Sequence, residues 1–464
     1  MSWWERITKN LPEVKGPLQR RLSFKEKLKW TLATLVLFFI LGLIPLFGLG
    51  ENALQQFEFL SVILGASFGS IISLGIGPLV TASIVLQLLN GAQIVKFDLR
   101  SHEGRARFQS VQKTLAVFFI LFEAAIYVFM GGLAPSQQFA GTAVYTQIQL
   151  LLVFQLVIGG ILIMFMDEVI SKWGFGSGIS LFIAANVAQQ VFVRALNPLP
   201  SPTNPDIASG AIPAIFQSLS AGDPQTALLQ AAALISTVAV FAVAVYTQSM
   251  RVEIPLSFGR VRGYGFRWPL KFFYTSNIPV ILIAALLANI QLWGRLLESW
   301  GRPLLGTFSG GTPVSGLVAW INPPDVISTL VTTGAAGFLR ALPFMLIYML
   351  ILVVGSVVFA VFWMQTANMD ARSQAEQILA SGLQIPGFRR DPRILESILK
   401  RYIWPLTVLG GATVGLIAAV ADVTGTLTSG TGLLLAVMII YNLYEEIAKQ
   451  HTMDMHPMLR KFIE

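Results

Sequence analysis

The residues of this chain that could do chemistry are few and widely spaced. Cysteine is absent from all 464 residues, which excludes disulfides, a thiol nucleophile and thiolate metal ligands. Three histidines, His102, His451 and His456, lie too far apart in sequence to indicate a metal cluster. The run Gly174-Phe-Gly-Ser-Gly178 resembles a phosphate-binding loop, but no strand precedes it. We therefore expect no cofactor, and an enzyme is poorly supported.

Carboxylates are the remaining chemical candidates, because ion-coupled transporters need ionisable groups inside the membrane. Glu123 lies in the middle of an apolar run, where hydrogen bonds to neighbouring helices would also explain it. An ion-coupled secondary transporter is therefore kept as the alternative hypothesis. Most other acidic residues of the apolar regions stand at the ends of apolar runs: Asp167, Glu168, Asp370, Asp422, Glu445 and Glu446.

The composition predicts that membrane helices position these residues. Hydrophobic residues make up 54% of the chain and charged residues only 12%, against about 25% charged in a soluble protein. So few charges cannot cover a water-facing surface, so lipid must solvate the rest. Ten apolar runs are predicted to cross the bilayer, most of them near the roughly 20 residues that this requires, with the fifth and tenth shorter. They are residues 30–49, 74–92, 113–133, 144–166, 178–193, 228–250, 278–297, 342–366, 405–423 and 432–443.

The basic residues orient these spans. If the two termini and alternate loops share one side, that side carries 28 of the 32 Lys and Arg residues, and the other side carries four. The positive-inside rule then places both termini in the cytoplasm of a multi-pass cell-membrane protein. Residues 1–29 lack the apolar core of a signal peptide. Trp3 and Trp4 among basic residues fit either an interfacial amphipathic helix or a solvated tail.

Residues 57–69 are apolar but too short to span, and a Gly-Ile-Gly-Pro turn at 75–78 separates them from the second run. Non-helical backbone at membrane depth must be covered by protein or line a water-filled cavity. The pattern alone fits a re-entrant half-helix and a surface helix equally.

Two cytoplasmic loops, residues 251–271 and 368–401, are basic and rich in turn-forming residues. Arg260 and Arg262 lie in the first loop, and Arg389 lies in the second. These loops predict exposed basic fingers that contact anionic lipid or a negatively charged partner such as ribosomal RNA. The positive-inside bias alone is the alternative explanation.

The predicted spans divide into five before the first basic loop and five after it, which would invert the second half relative to the first. We therefore predict the following segments. They are a basic N-terminal segment 1–29, spans 1–5 in 30–193, an outer loop with span 6 in 194–250, a basic loop 251–272, spans 7–8 in 273–367, a basic loop 368–403, spans 9–10 in 404–446 and a C-terminal tail 447–464.

Several long motifs, in order, resemble those of the SecY family, the large subunit of the protein-conducting channel, and its archaeal and eukaryotic branch more than its bacterial one. The resemblance runs from about residue 14 to 446. It is carried by FKEKLKW (24–30), LGIGPLVTA (74–82), DEVISKWGFGSGISLFI (167–183), RVEIP (251–255), SNIPVI (276–281) and GTGLLL (430–435).

The resemblance implies an all-α membrane fold of ten helices, in two pseudo-symmetric inverted halves around a central pore, with residues 57–69 as a plug. It implies a passive channel that conducts unfolded polypeptides and releases hydrophobic segments sideways into the bilayer. A pore ring without polar groups would close around an extended chain and exclude ions. The implied ring residues are Ile76, Val80, Ile179, Ile183, Ile281 and Leu435.

The resemblance also implies further sites and partners. A polar cluster at the lateral gate would be Thr81, Glu123 and Asn289, although many relatives carry an uncharged amide in place of Glu123. The implied partners are a SecE (gamma-type) subunit, a small third (beta-type) subunit, the ribosome, membrane lipid and nascent polypeptides with signal sequences. The implied plug residues are Phe59, Leu60, Val62, Ile63 and Leu64, and the implied docking residues for a ribosome or motor are Arg260, Arg262 and Arg389.

Overall fold

The computed structural model divides the chain into two compact units, Met1–Val187 with Ile439–Glu464, and Ala188–Met438. Both boundaries between the units fall inside helices. The residues that the structure describes are 12–18, 22–52, 67–91, 94–95, 97, 102–129, 131–139, 141–200, 207–258, 265–275, 278–299, 301–309, 312–384 and 391–455.

The first unit is built from long helices and one small antiparallel ribbon. Ser23 caps the first helix by accepting a hydrogen bond from the Glu26 backbone N–H at 3.4 Å. The helices pack in sequence order, α2 on α3 and α3 on α4, and α1 also packs on α4. The elements are α1 (Phe24–Gly42), β1 (Leu49–Asn52), α2 (Gly77–Gly91), α3 (His102–Phe129), β2 (Leu133–Pro135), α4 (Ala143–Trp173) and α5 (Gly178–Leu196), which continues into the second unit.

The second unit contains the remaining helices and the larger sheet. Four of its helices begin with an aspartate that accepts backbone N–H groups of the first turn. Its elements are α6 (Ala211–Ser220), α7 (Pro224–Ser249), β3 (Arg251–Phe258), β4 (Gly265–Lys271), α8 (Ile278–Ser299), β5 (Phe308–Ser309), β6 (Thr312–Pro313), α9 (Gly316–Trp320), α10 (Val326–Thr366), α11 (Ala371–Ala380), β7 (Leu383–Gln384), α12 (Pro392–Val423) and α13 (Gly430–Met455), which continues into the first unit.

A three-stranded sheet joins the two predicted basic loops. Its order is β4-β3-β7, and β3 pairs antiparallel with both neighbours. Its apolar face packs on α11 and on the first turns of α12. We call β3, β4, β7, α11 and the start of α12 the sheet module. Its buried residues are Ile254, Leu256, Leu270, Ala375, Ile378, Leu395 and Leu399, together with Met364, Ile403 and Leu406 of the adjoining helices.

Each of the ten predicted spans coincides with a helix in the described residues. Seven helices there are long and apolar enough, by length and composition, to cross a membrane. The described strands are confined to the connections between helices, so the spanning elements are helical as predicted.

The bounds of the helices differ from those of the predicted apolar runs. The first helix is Phe24–Gly42 rather than 30–49, and the third begins at His102 rather than 113. The basic region 368–401 is not one loop, because it holds α11, β7 and the first residues of α12, so Arg393 is helical. Apolarity ends where lipid ends, whereas a helix continues until its backbone bonds are capped.

Candidate functional site

Ile76 and Val80 lie where α2 begins. The backbone N–H of Val80 donates to the carbonyl of Ile76 at 3.0 Å, so the two side chains are one helical turn apart. Ile76 is 1% exposed and Val80 is half-buried. Gly75, with φ of 56°, precedes them and provides the left-handed turn at which the helix starts.

The start of α2 lies at membrane depth. A Cβ on Gly159 would come within 1.8 Å of the carbonyl oxygen of Ile71, so that backbone crosses α4 at this glycine. Gly159 is the seventeenth of the 31 residues of α4, near the middle of the helix. The 15 residues of α2 reach only about 22 Å, less than the roughly 30 Å of hydrocarbon. The non-helical stretch before α2 is thus covered by protein, as its depth requires.

Ile179 and Ile183 lie on the first two turns of α5. Ile183 is 4% exposed, and Ile179 is half-buried. The Oδ1 atom of Asp167, on α4, accepts a hydrogen bond from the backbone N–H of Ile179 at 3.0 Å. A Cβ on Gly178 would lie 2.6 Å from the Cα of Asp167, so only glycine permits this approach. The start of α5 is therefore bound to the end of α4.

The glycine-rich run 174–178 forms the turn between α4 and α5. Backbone N–H groups of the run and of the residue after it bond to the protein itself, because Thr31 accepts from Phe175 and Asp167 accepts from Ile179, both at 3.0 Å. These donors are therefore occupied, which agrees with the interpretation that the run is not a phosphate-binding loop.

Ile281 and Leu435 belong to the second unit. Ile281, the fourth residue of α8, is half-buried. The nearby Ile283 packs against Gly355 of α10, where an added Cβ would lie 2.5 Å from the Cδ1 atom of Ile283. Gly355 is 11 residues before the end of α10, or about 17 Å along the helix. Leu435, the sixth residue of α13, is fully buried. Both residues therefore lie within membrane-depth helices.

The proposed gate cluster is partly assembled. The side chain of Thr81 on α2 lies close to that of Glu123 on α3, and the two helices pack together. Glu123 is half-buried, and Tyr127 lies one turn further along the same helix. Asn289 lies on α8 in the second unit, and its side chain is outside the described set. A polar pair inside the membrane is thus present on the α2–α3 side.

The predicted plug and docking residues lie outside the described residues, although the ends of their segments are defined. The plug segment follows β1, and Ser67, near the end of the segment, donates its hydroxyl to the Gly42 carbonyl at 3.2 Å. The first docking loop follows Phe258 at the end of β3, and the second follows Gln384 at the end of β7. Because these strands pair antiparallel, with Ser257 opposite Gln384, the chain leaves them in opposite directions. Phe258 pairs with Leu383 in the same ladder. The two basic loops therefore start from neighbouring strands.

Two residues of the site were missed as positioning groups. Asp167 and Asp422 were interpreted only as acids at the ends of spans. In the structure, Asp422 Oδ1 accepts from the Gly430 N–H at 2.6 Å, and Oδ2 accepts from the Tyr348 hydroxyl at 2.8 Å. The signal that could have revealed them is an aspartate followed, within about a dozen residues, by a glycine that opens an apolar helix.

Comparisons with known proteins agree with this geometry. Residues 70–444 match the family model described as SecY, and residues 36–69 match the model described as the plug domain of Sec61p. The second range includes the whole predicted plug. The family model alone therefore covers most of the chain.

Individual relatives match over nearly their full length. The protein translocase subunit SecY of Methanothermobacter thermautotrophicus is 48% identical, over 98% of this chain and 96% of the relative. The corresponding subunit of Pyrococcus furiosus is 44% identical, over 97% of this chain and 96% of its own. The archaeal likeness predicted from the motifs is confirmed.

Solved structures give the same answer. A structure described as a protein conducting channel matches with a TM-score of 0.80 and 40% identity, covering 97% of this chain and 98% of that one. Sec61 in the canine ribosome–channel complex matches with a TM-score of 0.77 at 40% identity, with the same coverage. These likenesses lend no support to an ion-coupled transporter. The chain therefore belongs to the SecY family and is a channel-forming subunit of the protein translocase.

Proposed function

We propose that polypeptides cross through a ring of six aliphatic side chains and that hydrophobic segments leave sideways into lipid. The observation that carries this proposal is the depth of the residues concerned, because α2 begins beside the middle of α4. A ring without polar groups holds no passing side chain strongly. The six residues are Ile76, Val80, Ile179, Ile183, Ile281 and Leu435.

A photo-crosslinker at Ile183 tests the ring. With a ribosome-stalled secretory chain, we expect an adduct at this position. The same probe at Phe154, which is 61% exposed on α4, is the control and should give none. Absence of an adduct at Ile183, with the stalled chain demonstrably engaged, would contradict the ring assignment.

We further propose that Arg260, Arg262 and Arg389 dock the ribosome. The support is the pairing of Ser257 with Gln384, because the last described residues before the two basic loops lie on neighbouring antiparallel strands. Basic residues on two loops suit the phosphates of ribosomal RNA. Sec61, a structural relative, occurs in the canine ribosome–channel complex.

Charge reversal tests the docking proposal. Arg260→Glu, Arg262→Glu and Arg389→Glu should each weaken ribosome binding, and each lost phosphate contact should lower the salt slope of the affinity by about 0.7–0.9. Arg267→Glu is the matched control, because Arg267 lies on the same sheet but pairs with Glu253 at 3.1 Å. Unchanged affinity of the three tip variants at low salt would contradict docking by these loops.

We propose that the Thr81–Glu123 pair, with Asn289, sets how hydrophobic a signal segment must be to open the gate. Separating two apolar helix surfaces in lipid costs little, because lipid tails are as apolar as the side chains. Separating a polar pair costs more, because both groups lose their polar partner. Glu123→Leu should therefore let less hydrophobic signals through, whereas Glu123→Gln should preserve selectivity. The role would be disproved by unchanged signal selectivity in Glu123→Leu, measured with a graded series of signal sequences.

The remaining partners follow from the same assignment. We propose a SecE (gamma-type) subunit and a small third (beta-type) subunit as the membrane partners, and cytoplasmic termini as the 28-to-4 charge distribution predicts. Energy for outward movement comes from the partner that feeds the polypeptide, and this chain supplies the path. Protease protection of tags at each terminus in sealed vesicles tests the orientation.

A further inference from the structure

In the first unit, Asp167 binds the helix that follows its own. It lies in the last two turns of α4, and its carboxylate accepts a backbone hydrogen bond from Ile179 at 3.0 Å, beside Gly178, where a Cβ would lie 2.6 Å from the Asp167 Cα. Gly176, with φ of 67°, turns the chain between the two helices. Ile183 is the sixth residue of the helix that starts in this way.

In the second unit, Asp422 makes the same connection. It lies at the end of α12, and it accepts from the backbone N–H of Gly430, the first residue of α13, at 2.6 Å. Gly425, with φ of 63°, turns the chain. A Cβ on Gly430 would lie 2.4 Å from the Ala418 carbonyl oxygen, so this helix also approaches too closely for any side chain. Leu435 is the sixth residue of α13.

These two aspartates differ from the ordinary helix caps of the same chain. Asp223, for example, stands immediately before α7 and accepts from Gln225 and Thr226, so it caps a helix without joining it to another. Asp167 and Asp422 instead reach across a turn from one helix to the next. In each unit the order is the same: aspartate, left-handed glycine, helix-starting glycine, and a ring residue at the sixth position.

We propose that Asp167 and Asp422 are equivalent positioning residues, one in each unit, which fix the first turns of α5 and α13 and thereby the placement of Ile183 and Leu435. The functional part of this proposal depends on the proposed assignment of Ile183 and Leu435 to the pore ring. Each carboxylate is matched to a helix N-terminus, where backbone N–H groups and the helix dipole favour negative charge. Loss of the acceptor frees the first turn, and the ring residue moves with it.

The absence of cysteine makes a crossed experiment possible. Ile183→Cys or Leu435→Cys gives a single reactive site in this chain, which is assembled in lipid vesicles with partner subunits whose own cysteines have been replaced. Labelling by a small water-soluble maleimide then reports how accessible each position is. Each cysteine is combined in turn with Asp167→Ala, Asp422→Ala, the corresponding Asn variants, and Asp223→Ala as the matched cap control.

We expect a diagonal pattern, in which each aspartate variant changes the labelling rate only at the ring position of its own unit. Asp167→Ala should speed labelling at position 183 about fivefold, the factor expected from loss of one helix cap, and leave position 435 unchanged. Asp422→Ala should do the reverse, and the Asn variants, which keep an acceptor oxygen, should largely restore the parent rates. Asp223→Ala should change neither. Equal acceleration at both positions, or no acceleration at either, would overturn the proposal.

The resting ion leak supplies the functional readout, and it should rise in both Ala variants but not in Asp223→Ala. An unchanged leak in both would overturn the positioning role in the channel. Failure of the ring assignment looks different, because the crosslink at Ile183 would then be missing from the parent protein while the diagonal labelling pattern remained.

Discussion

The hydroxyl of Thr31 accepts a hydrogen bond from the backbone N–H of Phe175 at 3.0 Å and donates another to the Lys27 carbonyl at 2.9 Å. The first bond joins α1 to the turn between α4 and α5. A Cβ on Gly174 would lie 2.7 Å from the same oxygen, and the Phe175 ring lies 5.4 Å from that of Phe24. The turn that precedes the ring residues of α5 therefore closes directly onto α1.

Replacing Thr31 by valine should destabilise the first unit. The shape is kept, but the buried N–H of Phe175 loses its acceptor, which costs about 1–3 kcal/mol. Thermal unfolding in detergent should show a lower midpoint. Thr34→Val is the control, because Thr34 is as buried but donates only within its own helix, to the Trp30 carbonyl. An equal loss in both variants would contradict a specific role for the Thr31–Phe175 bond.

Small residues set the contact between α10 and α12. A Cβ on Gly415 would lie 2.7 Å from the Leu352 carbonyl oxygen and 2.8 Å from the Ser356 hydroxyl oxygen. Gly415→Val should therefore force the helices apart and cost about 1–3 kcal/mol, as overpacking usually does. The measurement is the unfolding midpoint. Leu416→Val is the control, because that side chain is 45% exposed, and a similar loss there would contradict the packing argument.

The sequence was sufficient for the class of the protein and the positions of its helices, because apolar runs and basic loops follow directly from the bilayer. It was insufficient for helix ends. Lys113 was predicted to open the third span, yet it is the twelfth residue of α3 and forms an ion pair with Glu168. A polar stretch at the start of a helix adds nothing to an apolar run, so tertiary contacts and caps decide where the helix begins.

The tertiary partners of the site could not be predicted either. The spacing of Asp167 and Asp422 before a helix-opening glycine marks them as candidates, but it does not say which N–H groups they accept, since those groups lie twelve and eight residues away, beyond a turn. Thr31 and Phe175 are 144 residues apart. The family resemblance supplied the ring positions, whereas the groups that hold them in place depend on contacts that only the folded chain brings together.

Tyr274, between β4 and α8, should make the sheet module sensitive to alkaline pH. Its hydroxyl donates to the Met369 carbonyl at 2.6 Å. Burial and the charge of Asp370 raise its pKa above the ordinary value for tyrosine. A raised pKa means that the stabilisation is complete below the unfolded pKa, about 10, and is lost as pH rises through the folded pKa.

The Tyr274→Phe variant tests this dependence. It should lose about 1 kcal/mol at neutral pH, because one hydrogen bond is gone, and its stability should fall less steeply above pH 10. Ultraviolet titration should show that the wild type has one more late-titrating tyrosine than the variant. Tyr246→Phe, at a side chain that is 70% exposed, is the control. Identical alkaline profiles for wild type and Tyr274→Phe would refute the assignment.

Residues 12–18, which we call the N-terminal strap, are fastened to Lys113 of α3 and to the end of α4. The Val14 N–H donates to Glu168 at 2.9 Å, and the Trp173 indole N–H donates to the Lys15 carbonyl at 2.9 Å. Lys113 bridges Glu168 and the Pro12 carbonyl. The Lys113 and Glu168 side chains are only 14% and 17% exposed, so their pairing is sheltered from solvent.

Lys113→Met should release the strap. Glu168 then keeps its longer ion pair with Lys172, at 3.9 Å, but the Pro12 carbonyl loses its donor, so trypsin cleavage after Lys15 should accelerate about tenfold. Glu13→Gln is the matched control, because Glu13 pairs with Lys172 but its side chain is 67% exposed, and exposed pairs contribute little. Lys172 lowers the pKa of Glu13, so that contact weakens only as pH falls through the lowered value. Equal cleavage in the two variants would mean that the sheltered pair does not hold the strap.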